Sequence, residues 1–333
     1  MILCFGTRPE WLKIKPLLNE YDHFKLFFTG QHEDLIKIDL SEDKLIRAKV
    51  KDYSGSRLND LISSILIEFE KLKNENAILI QGDTASAFAC ALAAFNTNKK
   101  IFYLEAGLRS FDLENPYPEE GYRQMISRIS SVNLCPTELS KKNLVEEKVL
   151  GKNIVVGNTI LDNLLKQKDK SNYENHVVIT LHRRENQQII TDWNESINTI
   201  AISNPSLKFI YIKHPSQDYK HKIFSAKNMV LIDPLNHTDF IKILIKSKFL
   251  ITDSGGLQEE ASFLNKKVIV CRKNTERPEG IKTGHIILCK KPKFLEEIVN
   301  DIKINYFISN QCPYGDGNSS KRIIDILKKE NVI

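Results

Sequence analysis

The order in which apolar and polar segments follow one another is the feature that most restricts how this chain can fold. Short apolar runs end in polar turns, and each turn leads into a segment with apolar residues at helical spacing. Strands that alternate with helices predict a parallel sheet covered by helices on both faces. The runs that show the pattern most clearly are "MILCF", "AILIQ", "IFYLE", "VVITL", "FIYIK", "FLITD" and "KVIVC".

The pattern restarts near residue 175, and 333 residues are about twice the length of a usual domain. We therefore predict an α/β fold with two doubly wound, Rossmann-like domains and a central cleft. The predicted domains are 1–163 and 175–315, joined by a polar linker at 164–174. In such sheets ligands bind beyond the carboxyl ends of the strands, so the cleft is the predicted site.

Charge and composition exclude several classes of protein. The net charge of +6 would suit nucleic acid, but the lysines are dispersed and no basic stripe with interleaved aromatic residues occurs. The longest apolar stretch, "AFACALAAF", is far shorter than the ~18 residues that a membrane span needs, and "MILCF" lacks a basic flank. We expect a cytoplasmic protein with a small anionic ligand and no nucleic-acid or membrane partner.

Two strand-to-helix turns are candidate phosphate sites. In "TDSGGLQEE", Ser254, Gly255 and Gly256 would let a ligand approach the backbone at a helix N-terminus, as diphosphates require. A plain tight turn capped by the serine is the alternative. In "GTRPEWLK", Arg8 and Lys13 surround the first turn, where ordinary surface charges are the alternative reading.

No cofactor is indicated by these turns. No GxGxxG follows a strand and no GxxxxGK[ST] occurs, so neither a nicotinamide nor a P-loop nucleotide is implied. In "LHRREN", His182 ends a strand beside two arginines and could contact phosphate or carry a proton, although a lone histidine is more often structural. In "NTERPEG", Arg277 is a further candidate, with a surface ion pair as its alternative.

Three carboxylates are predicted to lie close together. Glu105 ends a strand, Asp83 follows a neighbouring strand, and Glu119 begins a helix four residues before Arg123. Close carboxylates do not all ionise easily, so one can donate a proton while another accepts one. Metal binding is the competing use, but Arg109 and Arg123 would repel a cation, so no metal is expected.

Taken together, these motifs resemble those of the non-hydrolysing UDP-N-acetylglucosamine 2-epimerases, in the order of that family and along nearly the whole chain. The resemblance implies the two-domain fold shared with phosphorylases and many glycosyltransferases, a final helix at about 316–333 that packs on the first domain, and a homodimer. The matching segments are "FGTRPEWLKIKPLL", "GDTASA", "EAGLRSFDLENPYPEEGYR", "GNTILDNL", "HRREN", "DPLNHTDF", "TDSGGLQEEA", "TERPEG" and "PYGDGNSSKRI".

The resemblance also implies a reaction. It is the reversible C2 epimerisation of UDP-N-acetylglucosamine to UDP-N-acetylmannosamine, by anti elimination of UDP to 2-acetamidoglucal and re-addition, for polysaccharide biosynthesis. No cofactor is needed. By resemblance the catalytic residues are Asp83, Glu105, Glu119 and His182. The substrate contacts are Arg8, Lys13 and Arg123, the diphosphate loop Ser254, Gly255 and Gly256, the ribose-binding Glu260, and Arg277.

Some positions depart from the family pattern. Gln31 and His32 resemble the motif that binds a second UDP-N-acetylglucosamine as activator, but Leu35 replaces the usual methionine, and Tyr122 replaces a common asparagine.

Other functions remain open: an epimerase of another UDP-2-acetamido sugar, a hydrolysing relative that releases N-acetylmannosamine and UDP, a nucleotide-sugar-binding protein without catalysis, or a glycosyltransferase.

Overall fold

The computed structural model describes residues 1–31, 45–49, 55–167, 174–214, 224–309 and 311–333. The chain forms two compact units: unit 1 is Met1–Asn163 with Gly315–Ile333, and unit 2 is Leu164–Tyr314. Each unit has a parallel sheet whose strands alternate with helices, which confirms the predicted class of two Rossmann-like α/β folds. Within the predicted linker, residues 168–173 lie outside the described residues.

In unit 1 the described strands are all parallel and follow the order β3-β2-β1-β4-β5-β6-β7. Their bounds are β1 Ile2–Phe5, β2 Lys25–Phe28, β3 Leu45–Arg47, β4 Ala77–Gln81, β5 Lys100–Leu104, β6 Val132–Cys135 and β7 Lys152–Val155. The helices that follow them are α1 Arg8–Glu20, α2 Arg57–Glu68, α3 Ala85–Asn96, α4 Glu119–Ile129 and α5 Glu138–Glu146.

The sheet of unit 1 is buried on both faces, which explains its continuous apolar runs. In β4, Ile78 and Ile80 belong to the core formed with α2 and α3, whereas Leu79 belongs to the core on the opposite face, formed with α1. Because successive side chains of a strand point to opposite faces, "AILIQ" must be apolar at every position that meets a helix. The polar residues are displaced to the ends of the strands, where the candidate site lies.

In unit 2 the strand order is β10-β9-β8-β11-β12-β13, again parallel. The strands are β8 His176–Thr180, β9 Lys208–Ile212, β10 Met229–Ile232, β11 Phe249–Thr252, β12 Lys267–Val270 and β13 Ile286–Leu288. The helices are α6 Arg184–Gln187, α7 Ile190–Ser203, α8 His237–Lys246, α9 Gly255–Phe263, α10 Glu279–Lys282 and α11 Leu295–Ile304. In the described part of the chain, no helix is both long and apolar enough to span a bilayer.

The last helix, α12 Ser319–Lys329, belongs to unit 1 although it follows all of unit 2 in the sequence. Its apolar residues Ile323 and Leu327 join the same core face as α1. Its first turn is capped by Asp162, whose carboxylate accepts from the backbone N–H groups of Ser319 at 3.1 Å and Ser320 at 2.6 Å. The side chain of Asp162 thus replaces a local N-cap residue.

We expect an Asp162→Ala substitution to destabilise unit 1 by about 1–2 kcal/mol, because two backbone donors at the start of α12 lose their acceptor. A thermal midpoint lower by roughly 2–8 °C, measured by circular dichroism, is the expected result for a unit of this size. The control is Asp325→Ala, which removes an exposed carboxylate from the same helix. Equal midpoints for the two variants would contradict the capping role.

Candidate active site

The predicted residues of unit 1 gather at the carboxyl ends of β1, β4 and β5. Glu105 follows β5 directly, and its Oε1 lies 2.5 Å from the Nζ of Lys13 on α1. Its Oε2 accepts a hydrogen bond from the side-chain amide of Gln81, the last residue of β4. Glu105 is buried and has a φ of +71°, a conformation that is uncommon for a residue with a side chain and that concentrates at functional sites.

Asp83 lies in the turn between β4 and α3 and forms an ion pair with Arg123 of α4. Arg123 is buried, whereas the side chain of Asp83 is 29% exposed and therefore accessible to a ligand. The other end of the guanidinium donates from Nη1 to Glu120 at 3.2 Å. Arg123 is thus held between two carboxylates, of which Asp83 alone reaches solvent.

Glu119 and Glu120 have different roles at the start of α4. Glu119 is half-buried, and its Oε2 is buried without a hydrogen-bond partner among the described residues. Glu120 is fully buried and also accepts from the backbone N–H of Ser110 at 3.0 Å. The sequence reasoning missed Glu120, because residues three and four positions before Arg123 lie on the same helical face and spacing alone does not choose between them.

Tyr103 is a second residue that sequence reasoning missed. It lies on β5, two residues before Glu105, and its buried hydroxyl has no hydrogen-bond partner in the described part of the chain. Burial in the first place, and then the negative charge of Asp83, raise the pKa of Tyr103. The phenol is therefore a neutral potential donor near the charged residues.

The turn after β1 is fixed by Glu10, which the sequence analysis also did not single out. Its Oε2 accepts from the backbone N–H groups of Gly6 at 2.7 Å and Thr7 at 2.8 Å, and its Oε1 accepts from the hydroxyl of Thr84. Burial raises the pKa of Glu10. Because Thr84 caps α3, Glu10 ties the turn after β1 to the turn after β4.

Arg8 is the first residue of α1, beside this turn, and is half-buried. Among the residues that the structure describes, its guanidinium has neither a hydrogen bond nor an ion pair. This distinguishes it from Lys13 and Arg123, which are each paired with a carboxylate. Its guanidinium is the cation of this cluster best suited to an incoming anion.

The predicted activator residues are only partly described. The side-chain oxygen of Gln31 accepts from the backbone N–H of Ser86 at 3.2 Å and from its hydroxyl at 2.8 Å, at the start of α3. His32 and Leu35 lie outside the described residues. Gln31 therefore contacts α3 through its carbonyl oxygen, and an activator role for Gln31 and His32 stays a prediction.

In unit 2 the predicted phosphate turn is the start of α9. Ser254 is the N-cap residue, and its side chain makes no capping hydrogen bond, so the hydroxyl is available to a ligand. Gly255 and Gly256 are the first helical residues, where backbone N–H groups and the helix dipole favour an anion. A Cβ at Gly255 would lie 2.7 Å from Nη1 of Arg277. A Cβ at Gly256 would meet, within 4 Å, no described residue beyond its chain neighbours and its own helix backbone.

Arg277 is buried beneath this turn instead of forming a surface ion pair. Its Nε donates to Glu259 at 2.8 Å and its Nη1 to Glu276 at 2.5 Å. Glu276 also accepts from Arg272 at 2.8 Å, and the hydroxyl of Tyr314 donates to the backbone carbonyl of Arg277 at 2.9 Å. The guanidinium is therefore held rigidly against Gly255 by a buried network of charges.

His182 lies just after β8, at the point where the strand order of unit 2 reverses. Its backbone N–H donates to both oxygens of the buried Asp253 at 3.0 Å, and its Nδ1 lies 3.3 Å from Oδ1. The ring also stacks on His214 with centroids 5.4 Å apart. Burial, opposed by the charge of Asp253, lowers the pKa of His182, which favours the neutral imidazole at neutral pH.

Asp253 was not predicted as a site residue, yet it organises this half of the site. Besides His182, it accepts from the backbone N–H of Arg183 at 2.9 Å and from the side-chain amide of Asn186 at 2.9 Å. It thereby joins the turn after β8 to the turn after β11, where Ser254 follows. The sequence feature that could have identified Asp253 is its position in "TDSGG", directly after a buried strand.

Glu260, the predicted ribose contact, lies on α9 and is buried. Both of its carboxylate oxygens lie 3.1 Å from the Nε2 of His237, the first residue of α8. Within unit 2 the structure thus brings the glycine turn, Arg277 and Glu260 together around one helix, with His182 at the neighbouring strand end.

Comparison with known proteins finds one family that matches nearly the whole chain. A family model described as UDP-N-acetylglucosamine 2-epimerase matches residues 18–328. The UDP-N-acetylglucosamine 2-epimerase of Campylobacter jejuni is 33% identical, over 99% of this chain and 97% of the relative. The crystal structure of UDP-GlcNAc 2-epimerase from Neisseria meningitidis bound to UDP-GlcNAc has a TM-score of 0.86 and 31% identity, over 98% of this chain and 99% of the other.

A second solved structure is that of the Methanocaldococcus jannaschii UDP-GlcNAc 2-epimerase in complex with UDP-GlcNAc and UDP. It has a TM-score of 0.81 and 30% identity, over 98% of this chain and 99% of the other.

Proposed function

Because this chain belongs to the UDP-N-acetylglucosamine 2-epimerase family, we propose that it interconverts UDP-N-acetylglucosamine and UDP-N-acetylmannosamine without net hydrolysis. The observation that carries the proposal is the cluster in unit 1. Asp83 and Glu105 lie at the ends of adjacent strands, each with a cationic partner, and Glu119 lies one helical turn before Arg123. These are the groups that proton transfer at a sugar carbon requires.

The reaction needs UDP to leave before, or nearly with, the proton at C2. That proton is not flanked by a carbonyl, so its direct removal at neutral pH would be slow. When the C1–O bond breaks with its electron pair going to UDP, positive charge develops on the ring and acidifies the C2 proton. Loss of the proton then forms the C1–C2 double bond of 2-acetamidoglucal. Addition of a proton to the opposite face of C2, with return of UDP to C1, gives the epimer.

The start of α9 supplies what the leaving diphosphate requires. The hydroxyl of Ser254 and the backbone N–H groups of Gly255 and Gly256 bind its oxygens, and the dipole of α9 stabilises the charge that develops on them. Arg277 keeps this turn in place from beneath, and the imidazole of His182, which Asp253 holds at the neighbouring strand end, is a further contact for the diphosphate.

The contacts of the three carboxylates support different roles. Glu105 is engaged on both oxygens, by Lys13 and Gln81, so it orients the lysine toward the substrate. Asp83 forms an ion pair with Arg123 and is accessible, which suits a base for the C2 proton. Glu119 has an unpartnered oxygen and suits the acid that delivers a proton to the other face.

The proposal predicts that product formed in deuterated water carries deuterium at C2, because the proton removed by one carboxylate exchanges with solvent before the other returns one. Proton NMR of the two UDP-sugars measures this, and phosphorus NMR of the same sample should show intact diphosphate diesters at equilibrium. Accumulation of UDP with free N-acetylmannosamine would favour the hydrolysing reaction. Exchange with another UDP-2-acetamido sugar, but not with UDP-N-acetylglucosamine, would reassign the substrate.

The family resemblance supports two further parts of the proposal. The enzyme acts as a homodimer, which sedimentation of the purified protein tests directly. Its product supplies polysaccharide synthesis, where an activated 2-acetamido sugar is the donor.

A further inference from the structure

The contact between Glu260 and His237 concerns a histidine that the mechanism above does not use. Nε2 of His237 lies 3.1 Å from Oε1 and 3.1 Å from Oε2 of Glu260. Equal distances place one ring N–H symmetrically between the two oxygens. An ionised carboxylate can accept about four hydrogen bonds, so a single shared donor leaves each oxygen with further acceptor capacity.

Both side chains are fixed by the helices that carry them. The side chain of Asn236 accepts from the backbone N–H of Asp239 at 3.0 Å, which starts α8 at His237. Glu260 lies five residues after Gly255 on α9, so it is carried by the helix whose first turn is the proposed diphosphate site. The side chain of Glu260 is only 6% exposed and that of His237 20%. Among the described residues, the orientation of the carboxylate is therefore set by its contact with His237.

We propose that His237 is a positioning residue that orients the Glu260 carboxylate so that its two outer acceptor sites receive the 2′- and 3′-hydroxyls of a uridine nucleotide's ribose. This rests on the proposed function, which assigns Glu260 to the ribose. A carboxylate has no donor of its own, so both hydroxyls must donate to it, one to each oxygen. Without the hydrogen bond from the ring N–H, the carboxylate can rotate, and its two oxygens are then no longer aligned with the 2′- and 3′-hydroxyls.

Calorimetric binding of UDP and 2′-deoxy-UDP to the full chain tests the proposal. The wild type should bind 2′-deoxy-UDP about tenfold more weakly than UDP, the factor expected for one hydrogen bond to a charged acceptor. His237→Phe keeps a ring but removes the donor. It should weaken UDP binding about tenfold and shrink the deoxy penalty to about twofold. His237→Gln retains an N–H donor and should recover most of the affinity.

Kinetics and a double variant separate positioning from direct contact. His237→Phe should raise KM while kcat is retained, because the ribose lies away from the reacting carbon. In a Glu260→Gln background, His237→Phe should add no further loss if it acts through Glu260, whereas the losses add if His237 touches the nucleotide itself. The control is Asp239→Asn, an exposed change in the same helical turn, which should bind UDP like the wild type.

The outcomes distinguish this inference from the proposed function. The inference is overturned if the folded His237→Phe variant binds UDP within twofold of the wild type, or if it still binds 2′-deoxy-UDP about tenfold more weakly than UDP. It is also overturned if the affinity losses of His237→Phe and Glu260→Gln add in the double variant. Loss of binding in both His237→Gln and His237→Phe, with circular dichroism showing unfolded protein, also overturns it in favour of a structural role. A wild-type protein that does not bind UDP overturns the proposed function and this inference together.

Discussion

An Asp83→Asn variant is expected to turn over about 10²–10⁴-fold more slowly than the wild type while it binds UDP with unchanged affinity. Asparagine keeps the size of the side chain and can still accept a hydrogen bond from Arg123. It cannot take up a proton, and removing general base catalysis has an effect of this size. The measurements are kcat for epimerisation, deuterium incorporation at C2, and calorimetric binding of UDP.

Glu147→Gln is a matched control for this prediction. Glu147 pairs with the buried Arg109 at 2.6 and 2.9 Å, in the same unit, but the proposed mechanism gives it no role. Its substitution should lower stability by about 1–3 kcal/mol, because a buried guanidinium loses a charged partner, and leave kcat unchanged. Full turnover by an Asp83→Asn variant that still binds UDP would instead indicate that Asp83 has no catalytic role.

A Gly255→Ala variant is expected to bind UDP about 10–100-fold more weakly and to lose about 1–3 kcal/mol of stability. The added methyl group would lie 2.7 Å from Nη1 of Arg277 and 3.0 Å from Oε1 of Glu276. Neither neighbour can move freely, because both belong to the buried network of charges under α9. The first turn of α9 must therefore shift, and its N–H groups lose their alignment with the diphosphate.

A Gly256→Ala variant distinguishes an effect on the packing of the protein from an effect on the binding of a ligand. Apart from its chain neighbours and the backbone of its own helix, no described residue lies within 4 Å of the added Cβ. This variant should therefore be as stable as the wild type or up to about 1 kcal/mol more stable, since alanine is the better helix former. Loss of UDP affinity without loss of stability would then report close approach of the diphosphate. Wild-type stability and affinity for Gly255→Ala would contradict the assignment of this turn.

The strands that sequence reasoning found are the central ones. "AILIQ" and "FLITD" became β4 and β11, which have neighbours on both sides and helices on both faces, so nearly all their positions are apolar. Strands at the sheet edges, such as β7 Lys152–Val155 and β10 Met229–Ile232, were not singled out. Their residues are partly exposed, so burial does not impose the continuous apolar run that marks a central strand.

The candidate site could be predicted in position but only partly in its contacts. A parallel sheet collects the residues after each strand at one edge, which is why Asp83, Glu105 and Ser254 could be selected from the sequence. The partners of those residues depend on how helices pack, which no local pattern encodes. Glu120 against Arg123 and His237 against Glu260 are contacts of this kind. The roles assigned to the site residues came from the family resemblance and stay predictions.

The capping of α12 by Asp162 has a consequence for the order in which the chain can mature. The helix at Ser319–Lys329 is synthesised after the whole of unit 2, yet it completes a core face of unit 1. While a ribosome is still making residues 164–314, α1 lacks the helix that will pack against it. Translation that stopped before residue 319 would therefore damage the half of the protein made first, and leave the half made last with all its own elements.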